Sequence, residues 1–300
     1  MDERDLLAER FEASRDHLRA VAYRMLGSLS EAEDAVQEAW LRLSRSDSGA
    51  IENLGGWLTT VVSRVCLDIL RSRTARGEEP MGVHVPDPVV SHVGHEGADG
   101  TDPEQQALLA DSVGLALLVV LDTLAPAERL AFVLHDMFGV PFEEIAPVVE
   151  RTPAAARQLA SRARRRVRGA APTPDADLGL QREVVDAFLA ASRDGDFDAL
   201  LTVLDPDVVL RADAGAVAVG AGASKLVRGA AAVAGQALTF RKFSHAARPA
   251  LVNGAVGVVT EVEGRLMAVM GFTIADGRIV EIDILADQNR LFSYAPGHGR

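Results

Sequence analysis

The sequence contains a single cysteine, Cys66, which excludes an internal disulfide and a cysteine-rich zinc site. Its place in an apolar helical stretch reads as a buried core thiol rather than a redox sensor. Long hydrophobic runs are also scarce: the longest, Val113 to Leu121, is too short to span a bilayer. The start, "MDERDLLAER", carries charges where a signal peptide requires an apolar core. A cytoplasmic location without a membrane partner is therefore expected. No internal repeat is present, and neither a metal nor a cofactor is implied.

The local absences of charge are more informative. Residues 77–110 hold seven acids and no base, whereas residues 151–170 hold seven arginines and no acid. A formal net charge of -12 thus conceals a basic patch, and a partner responds to the local field rather than to the total. At 300 residues, with 48% hydrophobic and 25% charged residues, the chain is long enough for two or three globular domains.

Apolar residues recur at spacings of three and four in Leu18, Val21, Ala22, Met25, Leu26 and in Ala35, Val36, Ala39, Trp40, Leu43, which predicts a helical domain over residues 1–76. Gly27 breaks its first helix, Ser30 with Glu33 forms an N-terminal capping pair, and a further helix runs from about Trp57 to Ser72. Residues 77–103 lose this periodicity and read as an acidic linker. A second helical domain follows over residues 104–170. It opens at Asp102 and Pro103, continues to about Leu124, and includes "APAERLAFVLHDMFG" as one helix and "PFEEIAPVVE" as a short one. A Pro- and Ala-rich linker covers residues 171–179. From residue 180 to 300 one helix, "REVVDAFLAASRDGDFDALLTVL", precedes β-branched segments separated by "NG" and "DG" turns, which predicts an α+β domain with a curved antiparallel sheet.

In "RTPAAARQLASRARRRVR", Thr152 is a suitable N-cap and Pro153 a suitable first helical residue. Ala156, Leu159, Ala160, Ala163 and Val167 form one stripe, and the arginines project from the remaining faces. Preceded by a short helix and a turn, this is the pattern of a helix-turn-helix whose second member enters a major groove. Pro147 should distort the first helix, and the turn lacks a glycine. With no acid in the stretch, intrahelical ion pairs do not explain the arginines, and DNA contact is preferred to a solvated basic face.

"YRMLGSLSEAEDAVQEAWLRL" followed by "NLGGWLTTVVSRVCLDILRSRTAR" resembles region 2 of the sigma-70 family, in its extracytoplasmic-function group, and residues 104–168 resemble region 4. The resemblance implies RNA polymerase core enzyme and promoter DNA as partners. It implies that Asp34, Gln37, Glu38 and Leu41 face the polymerase clamp, with Trp40 packed inward. Asn53, Trp57, Ser63, Arg64, Asp68, Arg71 and Arg73 would meet the -10 element, Trp57 having core packing as an equal alternative. Thr152, Arg157, Gln158, Ser161, Arg162, Arg164 and Arg165 would meet the -35 element, the early side chains at base edges and the later ones at phosphates.

Residues 180–300 resemble a SnoaL-like cone domain, so the expected architecture is two all-α sigma-factor domains followed by an α+β cone. The whole arrangement is similar to sigma factors that carry this extension. Their linker and extension motifs correspond here to the degenerate "HVPDP" and "DAGAV", which nominate His84, Pro86, Pro88 and Asp213 as regulatory residues. The same fold hosts enzymes, and Asp205, Asp207, Asp213, Asp283 and His245 are the available acid–base groups. The preferred reading is a non-enzymatic promoter-specificity subunit. The alternatives are a free-standing helix-turn-helix regulator with a ligand-sensing domain and an enzyme with a DNA-binding appendage.

Overall fold

The computed structural model describes residues 3–46, 51–77, 83–91, 114–170, 172–215 and 223–292. The chain divides into two compact units, one formed by residues 1–79 and 120–170, the other by residues 80–119 and 171–300. The expected start of a helix at Asp102 lies outside the described residues.

The first unit is helical. Helix α1 (Glu3–Leu26), α2 (Leu29–Leu43) and α3 (Leu54–Arg76) pack together, and all of Leu18, Val21, Ala22, Met25, Leu26, Ala35, Val36, Ala39 and Leu43 are buried. Cys66 lies in the same core, and burial pushes its thiol pKa up to about 12, so it is an inert apolar contact. Gly27, in the left-handed conformation (φ 69°), ends α1. The cap of α2 is Ser28, not the expected Ser30: its hydroxyl accepts from the Glu31 amide at 3.5 Å. A turn this tight leaves Leu29 as the first helical residue, and Glu33 is released to pair with Arg15 and Arg19.

Helix α4 (Leu115–Asp122) contributes residues to both units. The segment expected as one helix before Gly139 is α5 (Pro126–Phe132) followed by a π-helical turn, Val133–Met137. Helix α6 (Phe142–Val148) keeps Pro147 in its last turn, where it forgoes the bond an amide would make to the Glu143 carbonyl, and α7 (Pro153–Ala170) follows. Glu150 takes the left-handed conformation (φ 57°) that a glycine would usually supply. The Arg151 amide then donates to the Ala146 carbonyl at 3.0 Å, which closes the helix end by the six-to-one bond of a Schellman turn.

In the second unit the single expected helix is two, α8 (Leu178–Asp194) and α9 (Phe197–Val203), because Gly195 (φ 78°) stops the first and Asp196 caps the second. The described residues of this unit also form one sheet of seven strands: β1 (Val90–Ser91), β2 (Leu204–Asp213), β3 (Lys225–Arg228), β4 (Ala247–Val252), β5 (Ala255–Val262), β6 (Arg265–Ala275) and β7 (Arg278–Leu285). Helix α10 (Ala230–Thr239) leads from β3 to β4, and α11 (Gln288–Leu291) follows β7. The strand order is β1-β4-β5-β6-β7-β2-β3. The "NG" and "DG" signals are realised as tight turns with Asn253, Gly254, Asp276 and Gly277 all at positive φ. The sheet is not wholly antiparallel: β2 enters beside β7 and pairs with it in parallel, a non-local pairing that no turn signal carries. β3 and β1 were both absent from the expected strands. Their brevity, four and two residues, leaves no period to read.

Val184, Val185, Phe188 and Leu189 of α8 pack on Val208, Leu210, Val258, Phe272 and Ile282, so the interior of the curved sheet is filled with apolar side chains. On the opposite sheet face Arg211 bonds Glu281 at 3.1 Å and Asp283 at 3.2 Å. Burial pushes the Asp283 pKa up to about 6, with Arg211 opposing the rise and Glu281 adding to it. An acid whose folded pKa is raised stabilises the fold least when ionised. Its contribution falls as the pH climbs from about 4 through about 6 and is flat above that. The Asp283→Asn variant, which leaves Arg211 paired to Glu281 alone, is expected to melt a few degrees above the unchanged chain at neutral pH. That advantage should vanish near the ordinary carboxylate pKa, as thermal melts across this range would show.

Candidate nucleic-acid and polymerase interfaces

Helix α7 is positioned by its small residues. Ala156, Ala160 and Ala163 are buried and bring it close to α5 and α6, with Leu159 and Val167 half-buried beside them. The Ala155 amide donates to Thr152 Oγ1 at 3.3 Å, so Thr152 is a cap. Arg157, Gln158, Ser161, Arg162 and Arg165 are exposed and Arg164 is half-buried.

Acids from other elements account for part of the arginine face. The buried Glu128 of α5 pairs with Arg162 at 3.2 Å and Arg166 at 2.8 Å, and Asp136 of the π turn pairs with Arg164. The guanidinium of Arg157 lies 5.1 Å from the centre of the Phe142 ring, which stacks on His135 at 3.9 Å. Glu128 and Asp136 lie well before the arginine stretch in the chain, so counting acids within the stretch misses them. Gln158, Ser161, Arg165 and Arg168 remain exposed, and no ion pair involves Arg165 or Arg168 among the described residues.

On α2, Asp34, Gln37, Glu38 and Leu41 follow the i, i+3, i+4, i+7 spacing of one face. Asp34 and Gln37 are exposed, Leu41 is 45% exposed, and Glu38 bonds Arg42 at 2.8 Å. Trp40 is half-buried, its ring 5.0 Å from that of Phe11. The exposed Leu41, on the same face as Asp34 and Glu38, offers an apolar contact beside carboxylates.

On α3 the expected residues separate. Arg64, Asp68 and Arg71 are exposed on one side. Together with Arg42, Leu67, Pro147, Val148 and Glu150 they line a cleft of about 180 Å³ between α3 and the end of α6. Arg73 is tied to Glu31. Asn53 caps α3 by accepting from the Gly56 amide at 3.1 Å, and a Cβ on Gly56 would come within 2.7 Å of its side chain. Trp57 is half-buried. Ser63 leaves the expected DNA face altogether: it is fully buried, on the side of α3 that carries Val62, Cys66 and Leu67 into the core, and its hydroxyl has no hydrogen-bond partner among the described residues.

The linker motif and the extension motif are brought together. The Val85 amide donates to Asp213 Oδ2 at 3.1 Å, and His84 Nδ1 lies 3.4 Å from the same oxygen. Arg290, which the sequence did not single out, closes the site. Its guanidinium donates to Asp213 at 2.9 Å, to the Val85 carbonyl at 2.7 Å, and through Nε to Asp87 at 2.8 Å. Burial raises the Asp213 pKa, but bonds from His84 and the Val85 and Gly215 amides, with the Arg290 charge, outweigh it and hold the carboxyl below its ordinary value. Four residues further along, Val89 and Asn253 exchange bonds of 3.0 and 2.8 Å, and β1 pairs with β4. Pro86 is buried between these two fixed points, and Pro88 is buried as well.

The acid–base candidates do not converge. Asp205 and Asp207 flank a turn in β2, where Asp205 accepts from the Asp207 amide, and His245 is exposed. Asp213 serves the linker clamp, and Asp283 the pair with Arg211.

Residues 10–76 match the family model for sigma-70 region 2, and residues 114–167 that for sigma-70 region 4. Over 294 residues the chain is 41% identical to the ECF RNA polymerase sigma factor SigJ of Mycobacterium tuberculosis, covering 93% of this chain and 91% of that protein. It is 36% identical to a second protein of that organism, named "Probable ECF RNA polymerase sigma factor SigI", over 97% of each. The crystal structure of M. tuberculosis SigJ superposes with a TM-score of 0.76 at 38% identity, covering 96% of this chain and 99% of that one. With relatives matched at this identity over more than nine-tenths of its residues, the chain belongs to the extracytoplasmic-function RNA polymerase sigma factors of the sigma-70 family.

Proposed function

We propose that the chain binds RNA polymerase core through the Asp34, Gln37, Glu38 and Leu41 face of α2. In this reading it engages the -10 element through Arg64, Asp68 and Arg71 of α3 and the -35 element through α7. The observation that carries it is the exposed display of these three faces on helices whose opposite sides are buried. A free-standing regulator is not favoured, because the relatives matched over nearly all of the chain are sigma factors. Residues 180–300 act as a regulatory domain rather than an enzyme. Their interior is packed with apolar side chains, and their acids are engaged or dispersed. No described helix is long and apolar enough to cross a membrane.

Run-off transcription with reconstituted core enzyme tests this reading; absence of specific initiation at every genomic promoter would refute it. Within α7 the arginines divide. Arg165→Ala removes an exposed cation and should lower the slope of log affinity against log salt by about one. Arg164→Ala breaks the pair with Asp136 and should act mainly on thermal stability. A salt titration of promoter binding beside a melting curve separates the two; an equal slope loss from both variants would remove this division.

A further inference from the structure

The C-terminal domain carries a second acid-free basic stretch. Residues 214–260 contain Lys225, Arg228, Arg241, Lys242 and Arg248 and not one Asp or Glu. Lys225 and Lys242 are the only two lysines in the chain. The fold brings both to one aromatic platform. Nζ of Lys225 stands 4.8 Å from the centre of the Phe240 ring, Nζ of Lys242 stands 4.9 Å from that of Phe243, and the two rings stack at 6.4 Å. Lys225 also donates to Gln236 at 2.8 Å, so a neutral acceptor orients it. Arg241, Lys242 and Phe243 lie exposed on the 3₁₀ turn Arg241–Ala246, and no ion pair among the described residues joins Arg241 or Lys242 to a carboxylate.

We propose that this lysine–phenylalanine platform is a further nucleic-acid contact, binding the phosphodiester backbone of duplex DNA without regard to sequence. Arg241 and Lys242, exposed and joined to no carboxylate among the described residues, put positive charge at the surface of a chain of net charge -12. Each lysine is fixed over a ring, which removes part of the ordering cost of meeting a phosphate. Because the lysines already occupy the rings, base stacking is not the mode of binding, and duplex backbone is preferred to single strands. A weak contact of this kind gains effect when the same chain is held on DNA elsewhere.

The test uses the full chain, free and as holoenzyme, on a random-sequence duplex and on a promoter fragment. The Arg241→Gln/Lys242→Gln variant should lower the slope of log affinity against log salt by about two on both duplexes. Its deficit relative to the unchanged chain should then shrink about tenfold between about 50 and about 200 mM salt. Arg241→Lys with Lys242 retained should keep the full slope, and thermal melts should coincide for all three chains. An unchanged slope overturns the proposal. So does weakened core-enzyme binding at unchanged slope, which would assign the platform to an acidic protein surface. Absence of promoter-specific initiation by the unchanged chain would refute the sigma-factor reading but leave the slope on random-sequence duplex to decide this one.

Discussion

Replacing Arg129 by alanine is expected to destabilise the first unit by about 3–5 kcal/mol, the cost of removing one partner from a buried charged network. Arg129 is 3% exposed. Its Nε and Nη2 donate to the Arg24 carbonyl at 3.2 and 3.1 Å, and Nη1 to Asp122. One side chain thus serves the last turn of α1, the end of α4 and its own helix α5. Truncation removes these donors from the Arg24 carbonyl and the Arg129 charge from Asp122, and leaves a cavity. Arg129→Lys keeps the charge but cannot fork to two acceptors, so it should recover only part of the loss. Chemical denaturation followed by far-ultraviolet circular dichroism measures both. A loss below about 1 kcal/mol for alanine would show that these bonds are replaced by water.

Replacing Arg290 by alanine should free the linker from the C-terminal domain. Arg290 holds Asp87, the Val85 carbonyl and Asp213 at once, whereas the other fixed point is a two-residue strand with the Val89–Asn253 exchange. Losing the clamp removes roughly 2 kcal/mol from the docked state and exposes residues 83–91 about thirtyfold more often. Limited proteolysis, in the regime where cleavage follows the open population, should show cutting in this segment accelerated by that factor. Asp213→Asn should give a smaller effect, since it retains an acceptor for the Val85 amide. If both variants are cut at the rate of the unchanged chain, the β1–β4 pairing alone holds the segment. In transcription, the Arg290 variant tests whether docking of the linker matters for output.

The helices of the first unit were legible because their signals are local. Apolar spacing placed α1, α2 and α7, Gly27 marked the end of α1, and Thr152 and Pro153 the start of α7. The Asn-Gly and Asp-Gly turns located two hairpins for the same reason, since a positive φ at consecutive residues is a demand the residue type answers directly. The failures were of longer range. The α2 cap moved to Ser28 because the turn after Gly27 is tighter than the cap spacing alone implies. The parallel β2–β7 pair and the two short strands each depend on pairing with other segments of the sheet.

The same division holds for function. Residue types and their spacing were enough to predict an amphipathic α2, a helix-turn-helix and a charge pattern, because a helix converts spacing into faces without reference to the rest of the chain. Burial and pairing belong to the tertiary structure alone. Packing of α3 hid Ser63, Glu128 and Asp136 claimed arginines from another helix, and Arg290 joined a linker 203 residues away from it at Asp87. An ion pair forms between whichever charges the fold brings within reach, and distance along the chain says nothing of that.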